Sequence, residues 1–451
     1  MENTRELIVS MLLEIMEKDR YSHLVIREVL DKYDYLDGRE KAFMKRVTEG
    51  TLERKIQLDG VLNQFSKVPV SKMKPFIRNL LRMSVYQLLF MDSIPDSAVC
   101  NEAVKLAGKR GFRNLQGFVN GVLRSIARKK DELSVPDKEK DLIAYLSMAY
   151  SMPKWLALKF VKEQGEEIAE KMLARFLKPS PVTVRVREDV TEEQKKKLIK
   201  DWEKSGVTVR EHSYLSYAYC ITGMEGVKSL PGFGEGCCTV QDVSSMLVCE
   251  AAGMKEGDKV IDVCGAPGGK AAHASDKMKG TGLVSVRDLT EYKVSLIRDT
   301  IDRMQLTNVE TFAADARLLR EEDVETADVV LADLPCSGLG IIGKKKDIKY
   351  HVTEEGLEQL ALLQKEILSV VWQYVKPGGV LLYSTCTINH QENEENVKWF
   401  TENFPFTLES LSPYLPESLS EEGKQGMLQL KPGIHETDGF FLARLRRKAG
   451  A

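Results

Sequence analysis

The chain has 451 residues, of which 43% are hydrophobic and 29% are charged, and its formal net charge is −2. This balance is typical of water-soluble globular proteins, and the length predicts two or three domains with sizeable cores. The sequence contains no apolar run long enough to span a membrane, and its first residues do not resemble a signal peptide. We therefore expect a cytoplasmic protein without membrane contact. Because the net charge is close to zero, any nucleic-acid surface must come from a local cluster of basic residues.

Eight cysteines are spread along the chain, at positions 100, 220, 237, 238, 249, 264, 336 and 386. They show no paired Cys-x-x-Cys spacing, so they indicate neither a zinc site nor a disulfide framework. We expect no bound metal, and we expect most of these thiols to be small core residues.

Residues 1–130 have the periodicity of helices. Leu7, Met11 and Ile15 are an example of apolar residues that recur at helical spacing, and strand signals are absent. The segment is predicted to form an all-α bundle. Its last part, residues 105–130, contains eight basic residues and no acidic one: Lys105, Lys109, Arg110, Arg113, Arg124, Arg128, Lys129 and Lys130. Such a stretch can bind the phosphates of a nucleic acid, although the sequence alone slightly favours an ordinary solvated helix face.

Residues 131–236 are predicted to contain linker helices and a small α+β domain. The charged run at 131–141 suits a linker. Further on, Val182–Val186 alternates like a strand, 192–203 has the composition of a polar helix, and 207–209 is predicted to be a second strand.

Residues 237–451 alternate between strand and helix patterns, which predicts an α/β domain with a parallel sheet covered on both faces. The predicted strands are Val260–Val263, Leu283–Val286, Val309–Ala313, Val329–Ala332, Val380–Ser384 and Phe440–Leu445. In such sheets a ligand binds across the carboxyl ends of the first strands.

The first of these strands breaks at once into a turn rich in glycine, residues 264–269, and a helix pattern begins at Lys270. A strand, tight turn and helix in this order can hold a nucleotide-like ligand on backbone N–H groups, although an ordinary connection has the same pattern. Asp288, Asp315 and Asp333 follow the second, third and fourth strands. Each could cap a helix, but three acidic residues at successive strand ends favour a cofactor that contains a nucleoside, with Asp288 on the ribose hydroxyls.

Two cysteines follow neighbouring strands of the predicted sheet. Cys336 comes after the fourth strand and Cys386 after the fifth. A thiolate can add to carbon 6 of a pyrimidine, and carbon 5 then becomes nucleophilic enough to accept a methyl group. Cys386 as the thiolate, Asp333 as the acid at ring nitrogen 3 and Cys336 as the group that assists elimination could perform this chemistry. A single buried cysteine usually serves packing alone, but two in Pro- and Gly- or Ser- and Thr-rich turns make that alternative weaker.

Several motifs resemble those of the RNA cytosine-C5 methyltransferases, in the order and spacing of that family. They are Asp262–Lys270, Asp333–Gly338, Ser384–Cys386, Asp438–Phe441 and Gln241–Ser245. The helical region is similar to the antitermination factor NusB. A NusB-like domain, a small α+β domain and a methyltransferase domain together resemble the bacterial 16S rRNA (cytosine-C5) methyltransferases. The resemblance implies a multidomain protein with an all-α NusB-like RNA-binding domain and a Rossmann-like domain that uses S-adenosyl-L-methionine.

The resemblance also implies roles for individual residues. The cofactor site would be lined by Cys264, Gly265, Ala266, Pro267, Gly268, Gly269, Lys270, Asp288, Asp315 and Asp333. Cys386 would be the nucleophile, and Cys336 would assist product release. The family pattern is Arg-rich where this chain has Lys344–Lys346, and Lys lacks the planar fork that contacts a phosphate through two hydrogen bonds.

The predicted function is therefore methyl transfer from S-adenosyl-L-methionine to carbon 5 of a specific cytidine in 16S rRNA, with the rRNA or a small-subunit assembly intermediate as partner. The same chemistry on another RNA such as tRNA is one alternative, and a non-catalytic NusB-like RNA-binding module is a second. The sheet pattern alone would also permit a NAD-dependent oxidoreductase, but the turn is not GxGxxG and that function leaves both cysteines unexplained.

Overall fold

The computed structural model describes residues 3–224 and 226–450. The chain divides into two compact units, the first made of Met1–Lys178 with Ile342–His351 and the second of Pro179–Ile341 with Val352–Ala451. In the described part of the chain, no helix is long and apolar enough to cross a membrane. The division into 1–130, 131–236 and 237–451 stays a prediction.

The elements are numbered along the chain. The helices are α1 (Thr4–Glu17), α2 (Ser22–Lys32), α3 (Gly38–Glu53), α4 (Lys55–Phe65), α5 (Pro75–Phe90), α6 (Asp96–Lys109), α7 (Gln116–Arg128), α8 (Leu142–Ala149), α9 (Lys154–Gln164), α10 (Glu166–Phe176), α11 (Glu192–Lys204), α12 (Val243–Ala252), α13 (Gly269–Lys277), α14 (Glu291–Met304), α15 (Ile348–His351), α16 (Glu354–Val371), α17 (Glu394–Asn403) and α18 (Glu417–Ser420). The strands are β1 (Val182–Val186), β2 (Thr208–Glu211), β3 (Ala218–Thr222), β4 (Cys238–Val240), β5 (Lys259–Asp262), β6 (Leu283–Asp288), β7 (Val309–Ala313), β8 (Ala327–Asp333), β9 (Val375–Thr385), β10 (Phe406–Leu408), β11 (Met427–Leu430) and β12 (Phe440–Arg447).

The first unit is helical, as predicted, and α5 is its central helix. Pro75 stands at the start of α5, where a missing backbone N–H costs no hydrogen bond. The helix packs against α1, α3, α4, α6 and α7. Its Arg82 is buried and donates two hydrogen bonds to the carboxylate of Asp59, at 2.6 and 2.7 Å. A paired charge of this kind is tolerated in a core because both partners are satisfied.

The segment Ile342–His351 lies within the α/β region of the sequence but belongs to the helical unit. The ammonium of Lys349 is buried and donates to the main-chain oxygens of Glu53 and Ser151, each at 2.7 Å. The hydroxyl of Tyr350 donates to the main-chain oxygen of Leu52 at 3.0 Å. Buried contacts therefore anchor this segment in the helical unit.

The lysines of this segment are only partly available to an RNA. Lys346 forms an ion pair with Glu53, and Lys349 is enclosed by the protein. The sequence motif did not reveal this, because the acceptor groups come from residues about 200 to 300 positions away in the chain. Burial lowers the pKa of Lys349 to about 7.

We expect Lys349 to make the stability of the helical unit depend on pH. Its folded-state pKa lies below that of an unfolded lysine, so the cost of burying the charge is complete below about pH 7 and decreases as the pH rises from that value toward the pKa of an unfolded lysine. The free energy of unfolding of the wild type, relative to Lys349→Met, should therefore increase from about pH 6 to about pH 9. Denaturant titrations of both proteins measure this, with the exposed Lys154→Met as a control. A difference in the free energy of unfolding between wild type and Lys349→Met that does not change with pH would contradict the expectation.

The second unit begins with a small antiparallel sheet of order β2-β3-β1-β4. The predicted strand β1 and helix α11 are confirmed, and α11 begins with a capping box between Thr191 and Gln194. Its Trp202 is fully buried in the core beneath the sheet. The short strands β3 and β4 were not predicted, because segments of three to five residues carry little periodic signal.

The large sheet has the order β10-β12-β9-β8-β5-β6-β7, with β11 paired to β12. All six predicted strands of the α/β region are present. Strands β5, β6, β7, β8 and β9 form parallel pairs, and apolar side chains cover both faces. The sheet is nevertheless mixed, because β12 runs antiparallel to β9 and to β11. The chain enters β12 directly from β11 without a crossover helix, and such a connection gives antiparallel pairing. The central β5 lies between β6 and β8, so the order reverses there, which is where ligands bind in open α/β sheets.

Candidate active site

The turn between β5 and α13 is held by the end of β6. The N–H of Gly265 donates to the main-chain oxygen of Arg287 at 2.9 Å, and the N–H of Ala266 donates to the Asp288 carboxylate at 3.2 Å. Gly268 has a φ of +101°, and a Cβ there would lie 3.3 Å from the backbone of Ile297. The sharp turn therefore requires glycine at position 268.

The turn has room for a ligand on its open side. A Cβ built on Gly269, at the start of α13, would meet only the side chain of Gln241, at 4.0 Å. Both carboxylate oxygens of Asp262, at the end of β5, are buried without a hydrogen-bond partner among the described residues. Buried polar atoms need partners, so an open cradle beside an orphaned carboxylate fits a cofactor with hydrogen-bond donors.

Lys270 connects the turn to the end of β8. Its ammonium donates to one oxygen of Asp333 at 2.5 Å, and the hydroxyl of Ser384 donates to the other oxygen at 2.9 Å. Burial of Lys270 opposes its charge, but the contact with Asp333 and the proximity of Asp262 leave its pKa raised. Burial raises the pKa of Asp262 to about 7, with Lys270 opposing and Asp333 and Asp288 adding repulsion. Lys270 thus pairs with Asp333 and lies close to Asp262.

The two motif cysteines lie side by side. The sulfur atoms of Cys336 and Cys386 are 3.3 Å apart, although the residues are 50 positions apart in the chain. The hydrogen bond with Cys386 and removal from water raise the pKa of Cys336 well above its ordinary value. The two side chains can therefore share a hydrogen bond, in which either sulfur atom can be the donor.

The two loops that carry the cysteines are also joined through their backbones. The N–H of Gly340 donates to the main-chain oxygen of Cys386 at 3.1 Å, and the N–H of Gly439 donates to the main-chain oxygen of Gly340 at 3.0 Å. A Cβ on Gly340 would lie 1.9 Å from the main-chain oxygen of Gly439. Close backbone packing therefore explains both glycines, one of them in the motif that precedes β12.

The other two predicted acidic residues differ in their surroundings. Asp288 is buried at the end of β6, and its carboxylate accepts from the N–H groups of Ala266 and Leu289 and pairs with Lys293 at 2.9 Å. Asp315 follows β7 and forms a 2.6 Å ion pair with Arg317, which lowers its pKa. The structure thus joins Asp288 to the cofactor turn, whereas the contacts of Asp315 are local.

Sequence reasoning missed a buried polar cluster behind the cysteines. Its members are Ser337, Gln364, Thr387, Asn389, Glu392 and Asn393. These residues have no helical or strand periodicity that marks them as buried. The one available signal was an unusual density of Asn and Glu directly after a thiol motif.

A second cluster could be taken for a metal site. Ligand atoms of Glu188, Glu250 and His273 lie within 4.8 Å of one another. The ammonium of Lys277 is, however, 2.6 Å from both carboxylates, so a cation of the protein already serves them. A metal ion would have to displace this ammonium.

The basic stretch of the helical unit is less free than its sequence suggests. Five of its eight cations pair with acidic residues that lie outside the stretch: Lys105 with Glu102, Lys109 and Arg110 with Glu6, Lys129 with Glu132, and Lys130 with Asp96. Arg113, Arg124 and Arg128 are exposed and form no ion pair with the described residues. Helix packing brings Glu6 to the stretch, which a count within residues 105–130 could not detect.

A glycine-rich turn beside a switch of strand order, with acidic residues at successive strand ends, defines a Rossmann-like domain that binds a cofactor containing a nucleoside. Comparison with known proteins identifies the family. Residues 251–446 match the family described as 16S rRNA methyltransferase RsmB/F, and residues 2–128 match the NusB family.

Relatives extend this likeness over the whole chain. The chain is 36% identical to a probable ribosomal RNA small subunit methyltransferase B of Bacillus subtilis, over 99% of both proteins. It is 30% identical to the ribosomal RNA small subunit methyltransferase B of Vibrio cholerae, over 91% of this chain and 90% of that protein. The crystal structure of PH0851 superposes with a TM-score of 0.80 at 27% identity, covering 99% of both chains. The chain therefore belongs to the RsmB/F family of 16S rRNA methyltransferases, and its cofactor is S-adenosyl-L-methionine.

Loss of the Asp288 carboxylate should weaken cofactor binding. A hydrogen bond to a charged acceptor contributes about 1.5–3 kcal/mol, so Asp288→Ala should reduce affinity for S-adenosyl-L-methionine by roughly 10- to 150-fold. Calorimetric titration measures this, with the exposed Asp299→Ala on α14 as a control. Unchanged affinity in Asp288→Ala would remove this residue from the cofactor site.

The three unpaired arginines should account for most of the affinity of the stretch for RNA. Reversal of Arg113, Arg124 and Arg128 to Glu should weaken binding of 16S rRNA and reduce the slope of log affinity against log salt by about two to three. The matched control reverses Lys67, Lys154 and Lys162, three other exposed lysines of the helical unit. Equal effects of the two triple variants would indicate that only the total charge matters.

Proposed function

We propose that this protein methylates carbon 5 of a cytidine in 16S rRNA through a covalent cysteine–cytosine intermediate. The observation that carries the proposal is the pair of sulfur atoms 3.3 Å apart, beside Asp333 and Lys270. Cytosine-C5 chemistry needs one thiolate and one group that assists elimination, and two adjacent thiols at the edge of a cofactor site meet that need.

The proposed reaction conserves atoms and charge. The thiolate of Cys386 adds to carbon 6, which makes carbon 5 nucleophilic, while Asp333 exchanges a proton at ring nitrogen 3. S-adenosyl-L-methionine supplies the methyl group. A base then takes the proton from carbon 5, the bond between carbon 6 and sulfur breaks, and the Cys386 thiolate leaves. The raised pKa of Cys336 favours its protonated thiol and so disfavours it as the nucleophile, and we assign to Cys336 the role of assisting the elimination.

The names of the relatives support small-subunit rRNA as the substrate, in preference to tRNA. The NusB-like unit with its three exposed arginines supports RNA contact outside the catalytic unit. A non-catalytic RNA-binding module would leave the adjacent thiols without a role. An rRNA substrate also supports the expected cytoplasmic location. Incorporation of labelled methyl groups into bare 16S rRNA, followed by mapping of the modified base, tests the proposal, and a modified base other than cytidine would contradict it.

The two thiols should behave differently when each is removed. Cys386→Ala should abolish methylation and form no covalent complex, because no addition to carbon 6 can occur. Cys336→Ala should still attack and methylate once, and then stall as a protein–RNA adduct. Denaturing gels of both variants with rRNA and cofactor show the difference, with Cys237→Ala, outside the site, as a control. An adduct from Cys386→Ala and none from Cys336→Ala would reverse the assignment.

A further inference from the structure

A buried carboxylate lies directly behind the two thiols. The side chain of Glu392 is 0% exposed and accepts four hydrogen bonds. One oxygen accepts from the hydroxyl of Ser337 at 2.5 Å and from the amide of Asn389 at 2.9 Å. The other accepts from the main-chain N–H of Ser337 and from the amide of Gln364, both at 2.9 Å. All four donors are neutral, so hydrogen bonds alone compensate the desolvation of this carboxylate.

The same hydrogen bonds hold Cys336 from both sides. The main chain after Cys336 is held by Glu392 through the N–H of Ser337. The main chain before it is held by Gln364, whose amide also donates to the main-chain oxygen of Pro335 at 2.9 Å. The position of the Cys336 thiol therefore depends on two buried side chains that do not touch its sulfur atom.

The carboxylate also connects Cys336 to Cys386. The residues directly after the two cysteines, Ser337 and Thr387, have their hydroxyl oxygens 2.7 Å apart. The single hydroxyl hydrogen of Ser337 points to Glu392, so Thr387 must be the donor in the contact between the hydroxyls. Both thiol loops are thus joined through a hydrogen bond whose direction Glu392 determines.

We propose that Glu392 is a positioning residue for methyl transfer, which sets the distance between the thiols of Cys336 and Cys386 without touching the substrate. The inference rests on the proposed function, since it assigns a role within that reaction. It also makes a statement about the free enzyme, namely that the arrangement of the thiols depends on this carboxylate.

The charge of Glu392 adds an electrostatic effect. The hydrogen bond with Cys386 and removal from water are the main causes that raise the pKa of Cys336, and the charges of Cys386, Glu392 and Asp333 contribute further. Tyr383 is a further titratable group close to this sulfur. Loss of the Glu392 charge should therefore lower the pKa of Cys336.

The decisive variant is Glu392→Gln, which keeps the shape and removes the charge. An amide has only one acceptor oxygen, so its NH₂ group would face two of the present donors. We expect kcat for methylation of 16S rRNA to fall by roughly 10- to 100-fold with KM within about 2-fold of wild type, because small misplacements of reacting groups are costly. In the free enzyme, iodoacetamide alkylates Cys336 at a rate that depends on pH, and peptide mass spectrometry measures this rate. In Glu392→Gln the pH profile of the rate should shift to lower pH.

Three further variants separate positioning from folding. Glu395→Gln removes an exposed carboxylate of α17, the helix that begins two residues after Glu392, and should behave as wild type. Glu392→Asp keeps the charge and should restore part of kcat. Thr387→Val breaks the hydroxyl contact between the loops while the charge of Glu392 remains, so kcat should fall and the alkylation profile of Cys336 should shift less than in Glu392→Gln.

The alkylation measurement needs neither RNA nor cofactor, so it tests Glu392 even if the base that is methylated proves to be different. The proposal is supported by loss of kcat together with the shifted profile in folded Glu392→Gln. It is overturned if that variant methylates at the wild-type rate, or if its activity falls only with the folded fraction while the Cys336 profile is unchanged. If Glu392→Gln does not fold, a wild-type kcat in both Thr387→Val and Glu392→Asp overturns it.

Discussion

The register between the parallel strands β8 and β9 places Asp333 directly opposite Ser384. Each strand continues into a loop that carries one cysteine, so this pairing determines where both loops begin. Because side chains alternate between the faces of a sheet, a slip of one residue would turn Ser384 away from Asp333 and offset the thiols. Buried apolar residues on both faces of the sheet prevent such a slip, so the cores under the sheet and the chemistry at its edge depend on the same register.

Charge burial is the second constraint on this edge of the sheet. Burial and the charges of Asp333 and Asp288 raise the pKa of Asp262, and Lys270 opposes this effect, while Lys293 pairs with Asp288. A cluster with more carboxylates than cations is costly when it is sealed from water. It is consistent with a site that receives a cofactor bearing positive charge and hydrogen-bond donors. The stability of the turn and the affinity for the ligand are therefore coupled.

The helical unit shows how distant residues change the meaning of a local pattern. A lysine-rich segment and a basic stretch both look like phosphate contacts in the sequence. In the folded chain, Lys349 serves main-chain carbonyl groups, and Glu6 meets two cations of the stretch. Arg113, Arg124 and Arg128 remain without an ion pair among the described residues. They are a smaller set than the eight basic residues that the sequence places in this stretch.

The sequence by itself determined the helical character of the first region, the six strands of the α/β region and the motif residues of the site. These features are local: periodicity of 3.6 or 2 residues, glycine at a turn of positive φ, and acidic residues at strand ends all act within a few positions. The resemblance of the motifs predicted the family, and the comparisons confirmed it.

Only the tertiary structure decided which of these residues meet. The 3.3 Å contact of the thiols, the ion pair of Lys270 with Asp333 and the four donors around Glu392 each join segments that are 28 or more positions apart, apart from the local bond to Asn389. The antiparallel direction of β12 relative to β9 was likewise not predicted from the sequence. The direction of a strand depends on how the connection before it packs in the folded chain. Contacts of this kind arise from burial and hydrogen-bond satisfaction in the folded state, and no local spacing in the chain encodes them.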